Sequence, residues 1–142
     1  MVNELRCVFK SKVSNIKIAR NIAQIFFTQI DTNIGFLNEI KTIVSEAVTN
    51  SIIHGYESFD NMDIHMNLSY DCENVYIEII DFGYGILDIE LAKTPMYTTK
   101  EDDERSGLGL TLIDVFSDEM TIESNIGEGC RINVVKKISI YE

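Results

Sequence analysis

Glu39-Ile-Lys-Thr-Ile-Val-Ser-Glu46-Ala-Val-Thr-Asn50-Ser-Ile-Ile-His54-Gly-Tyr-Glu57 is the stretch on which the fold turns. Together with Leu37 just before it, it carries a core stripe of Leu37, Ile40, Val44, Ala47, Val48 and Ser51, recurring every three or four residues. That period predicts a helix from about Ile34 to His54, with Gly55 as a natural stop. Glu46 and Asn50, four apart, stack on one face at the edge of the stripe, where a helix meets a cleft, and His54 follows one turn later. A buried face would want an apolar residue there, and a solvent face would more often carry Lys or Arg to pair with the Glu. A carboxylate beside an amide suits a site that takes a proton and holds a hard divalent cation through oxygen. Taken alone, the pair is equally a polar helix face.

The same reading extends outward in both directions. Leu5 to Phe9 is a short strand. Ser14 is placed to cap a first helix with apolar positions Ile16, Ala19, Ile22, Ala23, Phe26 and Phe27, which Asp31 to Asn33 ends. After Gly55 the period changes to two: Asp63 to Tyr70 alternates polar and apolar, Asp71 to Asn74 turns, and Val75 to Ile80 returns. Residues Lys93 to Ser106 hold the only proline, Pro95, and the charge run Lys100-Glu-Asp-Asp-Glu-Arg105. A loop of that length in a compact domain is often a lid. Leu108 to Phe116 is a helix, and Met120 to Ser124 and Arg131 to Val135 are strands. This order predicts one α+β domain over residues 1–142, a two-layer sandwich with helices packed on one face of a mixed β-sheet.

With 142 residues, the chain can bury one proper core. Its formal net charge of −11 argues against a nucleic-acid binder, which needs a basic surface, and fits basic protein partners. Cys7, Cys72 and Cys130 are far apart and lack CxxC spacing, so neither a disulfide framework nor a zinc site is expected. A reducing cytoplasm is the simplest setting. The N-terminus lacks a signal pattern, and no apolar run reaches the roughly 18 residues of a membrane span.

Six of the eight glycines come as Gly-x-Gly pairs. Such pairs permit close backbone approach to phosphates and nucleotide edges. In Asp81-Phe-Gly83-Tyr-Gly85 the carboxylate can accept from an exocyclic amine while the glycines admit a planar base; a tight turn with an Asx cap is the alternative. Arg105-Ser106-Gly107-Leu108-Gly109 opens a helix whose free N–H groups can bind an anion beside the Arg; an ordinary helix start is the alternative. Gly127 and Gly129 fit a hairpin turn as well as a ligand. Neither GxxxxGK[ST] nor GxGxxG occurs, so a P-loop and a dinucleotide fold are both unsupported.

Together, Glu-x-x-x-Asn on a helix, Asp-x-Gly-x-Gly after a strand, a lid and Gly-x-Gly at a helix start resemble the GHKL ATPase/kinase superfamily, which includes gyrase, Hsp90, histidine kinases and MutL. Within it, Glu39 to Glu57 looks specifically like the anti-sigma F factors, sporulation serine kinases. Pro95-Met-Tyr-Thr98-Thr99-Lys100 and Glu104-Arg-Ser-Gly-Leu-Gly109 match the same family, and the likeness runs from about Glu4 to Val135.

The resemblance implies roles for individual residues. Glu46 would be the general base for an acceptor serine, and Asn50 would hold the Mg²⁺ that bridges the phosphates of ATP. Asp81 would accept the adenine amine, with Gly83 and Gly85 admitting the base. Thr98, Thr99, Arg105, Ser106, Gly107, Leu108 and Gly109 would form the lid and phosphate cradle. Lys100 could reach a phosphate or stay solvated, and His54 could serve the site or only the fold. The family usually has Thr where this chain has Cys130, a poor hydrogen-bonding substitute, and a neutral residue where it has Arg131; a somewhat altered nucleotide affinity is the most that is expected.

The implied partners are a sigma factor, an anti-anti-sigma factor phosphorylated on serine, and a second copy in a homodimer, with neither direct nucleic acid nor membrane. ATP and ADP are the implied nucleotides. Arg20 on the first helix is a candidate partner contact, or a solvated charge. A GHKL ATPase in which Glu46 activates water, and a nucleotide-gated sigma-binding module without catalysis, are the competing readings.

Overall fold

The computed structural model describes residues 2–84 and 109–138. In chain order these form β1 (Asn3–Lys10), α1 (Ser14–Phe27), α2 (Ile34–Asn50) running into a π-helical turn (Ser51–Gly55), β2 (Asp63–Tyr70), β3 (Asn74–Asp81), α3 (Gly109–Phe116), β4 (Glu119–Asn125) and β5 (Gly129–Lys137). The two-layer α+β class is as the sequence implies. Three helices lie on one face of a five-stranded sheet of order β1-β2-β3-β5-β4.

The expected mixed sheet needs correction, because all four pairings among the described strands are antiparallel. Topology accounts for it. Two successive helices between β1 and β2 return the chain to the end it left, so those neighbours oppose each other. Strands β3 and β4 run the same way, but β5 inserts between them and opposes both.

Strand alternation sets the two faces. Ile64, Met66, Leu68 and Tyr70 of β2 are buried beneath the helices, as are Val75, Ile77 and Ile79 of β3 and Ile132 and Val134 of β5. Ala19, Ala23, Phe26 and Phe27 of α1 meet Phe36, Ile40, Val44 and Ala47 of α2 above them. Phe26, Phe27 and Tyr70 form a ring cluster with centroids 5.1–6.5 Å apart. The other sheet face is polar: the Asn67 amide donates to Glu78 at 2.6 Å, and Arg131 lies 3.6 Å from Glu78 and 3.8 Å from Glu123.

Helix starts differ from the expectation at one point. Ser14 is the first helical residue of α1, not its cap; Val13 holds the cap position and makes no side-chain bond. Instead, the Asn15 amide ties the strand-to-helix corner by donating to the Lys10 carbonyl at 2.9 Å. The start of α2 is capped conventionally, the Asn33 Oδ1 accepting from the Phe36 N–H at 2.9 Å.

Candidate functional site

The expected helix to His54 changes character at Asn50. Beyond it the backbone widens into the π turn, with the Tyr56 N–H donating to the Ser51 carbonyl five residues back at 2.9 Å. Such turns are rare and need outside support. Tyr56 supplies it: its hydroxyl donates to the Asp63 carbonyl at 2.5 Å and accepts from the Phe82 N–H at 2.7 Å. The helix end is thereby bolted to β2 and to the end of β3. Gly55 is not a left-handed stop, since the positive φ angles fall later, at Glu57 (49°) and Ser58 (69°). Glycine is required at 55 for space, because a Cβ there would lie 2.7 Å from the Asp81 carboxyl.

Asp81 is the last residue of β3 and is only 3% exposed. Burial raises its carboxyl above the ordinary carboxylate range, and hydrogen bonds from the Gly83 backbone, the Ser51 side chain and the Cys130 backbone pull the other way. The Gly83 N–H donates to Oδ1 at 3.0 Å. Close backbone contacts hold this corner. A Cβ on Gly83 would sit 1.9 Å from the Gly55 carbonyl oxygen, and one on Gly129 would sit 2.1 Å from the Asp81 carbonyl oxygen. The Tyr84 N–H closes the corner by donating to the Gly55 carbonyl at 2.6 Å.

A substitution contrast checks this reading of the glycines. Gly83→Ala is expected to cost about 2–4 kcal/mol in urea unfolding, because the clash is with backbone that cannot yield cheaply. Gly127→Ala is expected to cost about 1 kcal/mol, since only its φ of +80° is at stake and no atom stands within 4 Å. Equal losses would show that space against the Gly55 backbone is not what requires Gly83.

Glu46 and Asn50 lie on one stripe of α2, with Glu39 and Ile43 on the same side. Asn50 is buried at 9% exposure and Glu46 is half-buried. The hydroxyl of Ser51, the residue after Asn50, bonds to Asp81, so the helix pair and the strand-end carboxylate belong to one constellation. On its outer side Glu46 borders a groove of about 520 Å³ shared with Arg20, Asn38, Lys41, Thr42 and Ser45. Arg20 Nε and Ser45 Oγ are buried there without a hydrogen-bond partner among the described residues. His54 is half-buried within the π turn.

Cys130 pairs with Asp81 across the β3–β5 ladder. Burial, reinforced by the Asp81 charge, pushes its thiol up to about 12, so it stays protonated and inert. Arg131, the next residue, points to the opposite sheet face and its ion pairs there, so it takes no part beside Asp81. Gly85, Thr98, Thr99, Lys100, Arg105, Ser106, Gly107 and Leu108 lie outside the described residues; Gly109 is the first residue of α3.

Ser51 and Gly55 are site residues that the periodicity hid. One occupies a core-stripe position and the other a helix end. A serine in an otherwise apolar stripe was the available signal.

Chemically, the corner offers a buried carboxylate acceptor, a buried amide and a half-buried carboxylate. Asp81 among close-packed glycines suits a planar group bearing an amine donor, and Asn50 can offer a neutral oxygen to a hard cation. Among the described residues there is no cluster of three or more His, Cys, Asp or Glu fit to hold a metal. A cation here would therefore need further oxygens from its ligand, as Mg²⁺ on a nucleotide has. Among the described residues, no helix is long and apolar enough to cross a membrane.

Residues 9–136 match the family of histidine kinase-like ATPase domains. The chain is 41% identical to an anti-sigma F factor of Bacillus velezensis over 98% of its length and 95% of that protein's. It is also 41% identical to one of Clostridium beijerinckii, covering 97% and 96%, and 40% identical to one of Bacillus subtilis (strain 168), covering 98% and 95%. In fold it is similar to the RsbU and RsbW domains of Rv1364c from Mycobacterium tuberculosis, at a TM-score of 0.69 and 15% identity, matching 98% of this chain and 33% of that longer one. A blue-light activated histidine kinase of Erythrobacter litoralis superposes on 78% of this chain, and 33% of its own, at a TM-score of 0.58 and 20% identity. By its match to the domain family over residues 9–136 and its identity to these relatives over nearly its whole length, the chain belongs to the anti-sigma F factor family, within the histidine kinase-like ATPase domains.

Proposed function

We propose that this protein is a serine-protein kinase that also sequesters a sigma factor. The observation that carries the reading is the bond between Ser51 and Asp81. It joins a helix bearing Glu46 and Asn50 to a buried carboxylate fit for an adenine amine. ATP is the phosphoryl donor, and Asp81 accepts from its base. Asn50 would hold Mg²⁺, and the ion would supply charge neutralisation for the transfer when bound. Glu46 takes the proton of the acceptor serine hydroxyl. The serine oxygen then bonds to the γ-phosphorus, the bond to the bridging oxygen breaks, and ADP leaves with the electron pair. Thr98, Thr99, Arg105, Ser106, Gly107, Leu108 and Gly109 complete the cradle and lid in this reading, and Gly83 and Gly85 admit the base.

The acceptor is an anti-anti-sigma factor, and the kinase works as a cytoplasmic homodimer. Arg20 lies in the Glu46 groove with an unpaired buried Nε, a position suited to an acidic group beside the incoming serine. Arg20→Ala is expected to weaken partner capture in a pull-down by about tenfold and to leave nucleotide affinity unchanged. Unchanged capture would remove Arg20 from the docking face.

The deciding experiment incubates the protein with Mg-ATP labelled on the γ-phosphate and a candidate anti-anti-sigma protein, and follows label and free phosphate together. Label on a partner serine supports the kinase. Bound ATP with phosphate released to water and no label on the partner would sink it.

A further inference from the structure

Lys136 is a charge in the core. Strand alternation places it on the helix-facing side of β5, two residues beyond Val134, and it is 8% exposed. Burying an ammonium is costly unless its donors are satisfied. Its partners come from separate elements. Nζ donates to the carbonyl of Phe116, the last residue of α3, at 2.7 Å. It pairs with Glu39 of α2 at 3.3 Å and stands over the Phe36 ring, also of α2, at 5.2 Å.

The two α2 partners sit near that helix's N-terminus, whereas Asn50 ends it. Helix α3 packs against α2 with its C-terminus fixed at the Phe36–Glu39 end. Its N-terminus therefore points back toward the Asn50 end. Seven residues of helix, at about 1.5 Å each, bring Gly109 roughly level with Glu46, which lies seven residues along α2 from Glu39.

We infer that Lys136 is a positioning residue, a strap that sets the axial register of α3 against α2 and so holds the α3 N-terminus beside Glu46 and Asn50. The inference rests on the nucleotide reading above. Without the strap, α3 keeps its apolar packing through Leu110 and Ile113 and the hydrogen bonds of Asp118 to β5, but loses the side chain that joins its last turn to α2. The triphosphate end of the site then loosens, while the Asp81 end, built on β3 and the π turn, does not.

The test compares Mg-ATP and adenosine binding by calorimetry in the full chain, for Lys136→Met and for Glu39→Gln. Methionine keeps the apolar stem and removes the charged donor. Glutamine at 39 keeps an oxygen that can accept from Nζ, so in this variant the buried ammonium stays hydrogen-bonded while the ion pair is lost. Lys136→Met is expected to weaken ATP roughly tenfold, and Glu39→Gln about threefold. Adenosine affinity is expected to stay within about twofold of wild type in both. A wild-type ratio of ATP to adenosine affinity in the folded variants overturns the strap, as does an equal loss of both ligands, which marks a merely structural lysine. Wild-type protein that binds neither ligand removes the nucleotide reading and the strap with it, and is recognised before any variant is made.

Discussion

Glu46→Gln is expected to abolish phosphotransfer to the acceptor serine, by about 10²–10⁴-fold or more, while Mg-ATP still binds at wild-type affinity. The substitution preserves volume and polarity and removes only the capacity to take a proton. Because Glu46 is half-buried at the rim, its exchange leaves the packing of α2 on the sheet intact. The neighbouring Asn50 and Asp81 carry the nucleotide contacts in the proposed arrangement, so affinity and chemistry separate at this position. The measurement is a single-turnover transfer assay beside a binding isotherm. Transfer within threefold of wild type would take the base role from Glu46. A parallel loss of nucleotide affinity would place Glu46 in the binding contacts instead.

Asp81→Asn is expected to have the opposite profile. Nucleotide affinity should fall by about 100-fold or more, because a charged acceptor worth about 1.5–3 kcal/mol is lost and a donor NH₂ replaces one oxygen. That NH₂ enters a corner where the Gly83 and Cys130 N–H groups donate and where only the Ser51 hydroxyl can turn to accept from it. Stability responds to pH in a direction set by burial. The Asp81 carboxyl is raised, so the folded state holds its proton more tightly than the unfolded chain does. The associated stabilisation is complete below the unfolded value of about 3.9 and is lost as pH climbs through the folded one. Asparagine cannot ionise and escapes that loss. The stability of the variant relative to wild type, from urea midpoints without nucleotide, should therefore rise from pH 4 toward pH 8. A gap that stays flat across that range would contradict the buried-carboxylate account, and undiminished ATP affinity would contradict the adenine role.

Much of the architecture was legible because it rests on local periodicity. The two-residue alternation of Asp63 to Tyr70 reappears as the buried row Ile64, Met66, Leu68 and Tyr70. The three-to-four spacing around Ile40, Val44 and Ala47 reappears as the buried face of α2. Strand order was not legible, since the insertion of β5 between β3 and β4 depends on contacts between residues far apart in the chain, from Asn74 with Lys137 to Asp81 with Cys130. The π turn was hidden for the same reason: its support is the Tyr56 hydroxyl reaching Asp63 and Phe82. Lys136 left a trace that periodicity alone could have caught, a lysine in the row of Ile132 and Val134, but its partners could not be named from it.

What this sequence determined by itself was the kind of each element and the kind of each reactive group. Helical and strand periods are properties of neighbouring residues, and a carboxylate or an amide carries its chemistry wherever it is placed. What only the tertiary structure decided was adjacency. Asn50 and Asp81 stand 31 positions apart in the chain, yet Ser51 touches the second while following the first. Gly83 is required because the Gly55 backbone meets it, Gly55 because the Asp81 carboxyl does, and Gly129 both because the Asp81 carbonyl meets it and because its φ is +111°. Burial, finally, turned Asp81 from an ordinary carboxylate into a raised one and kept the Cys130 thiol protonated, because desolvation exists only once the layers have closed.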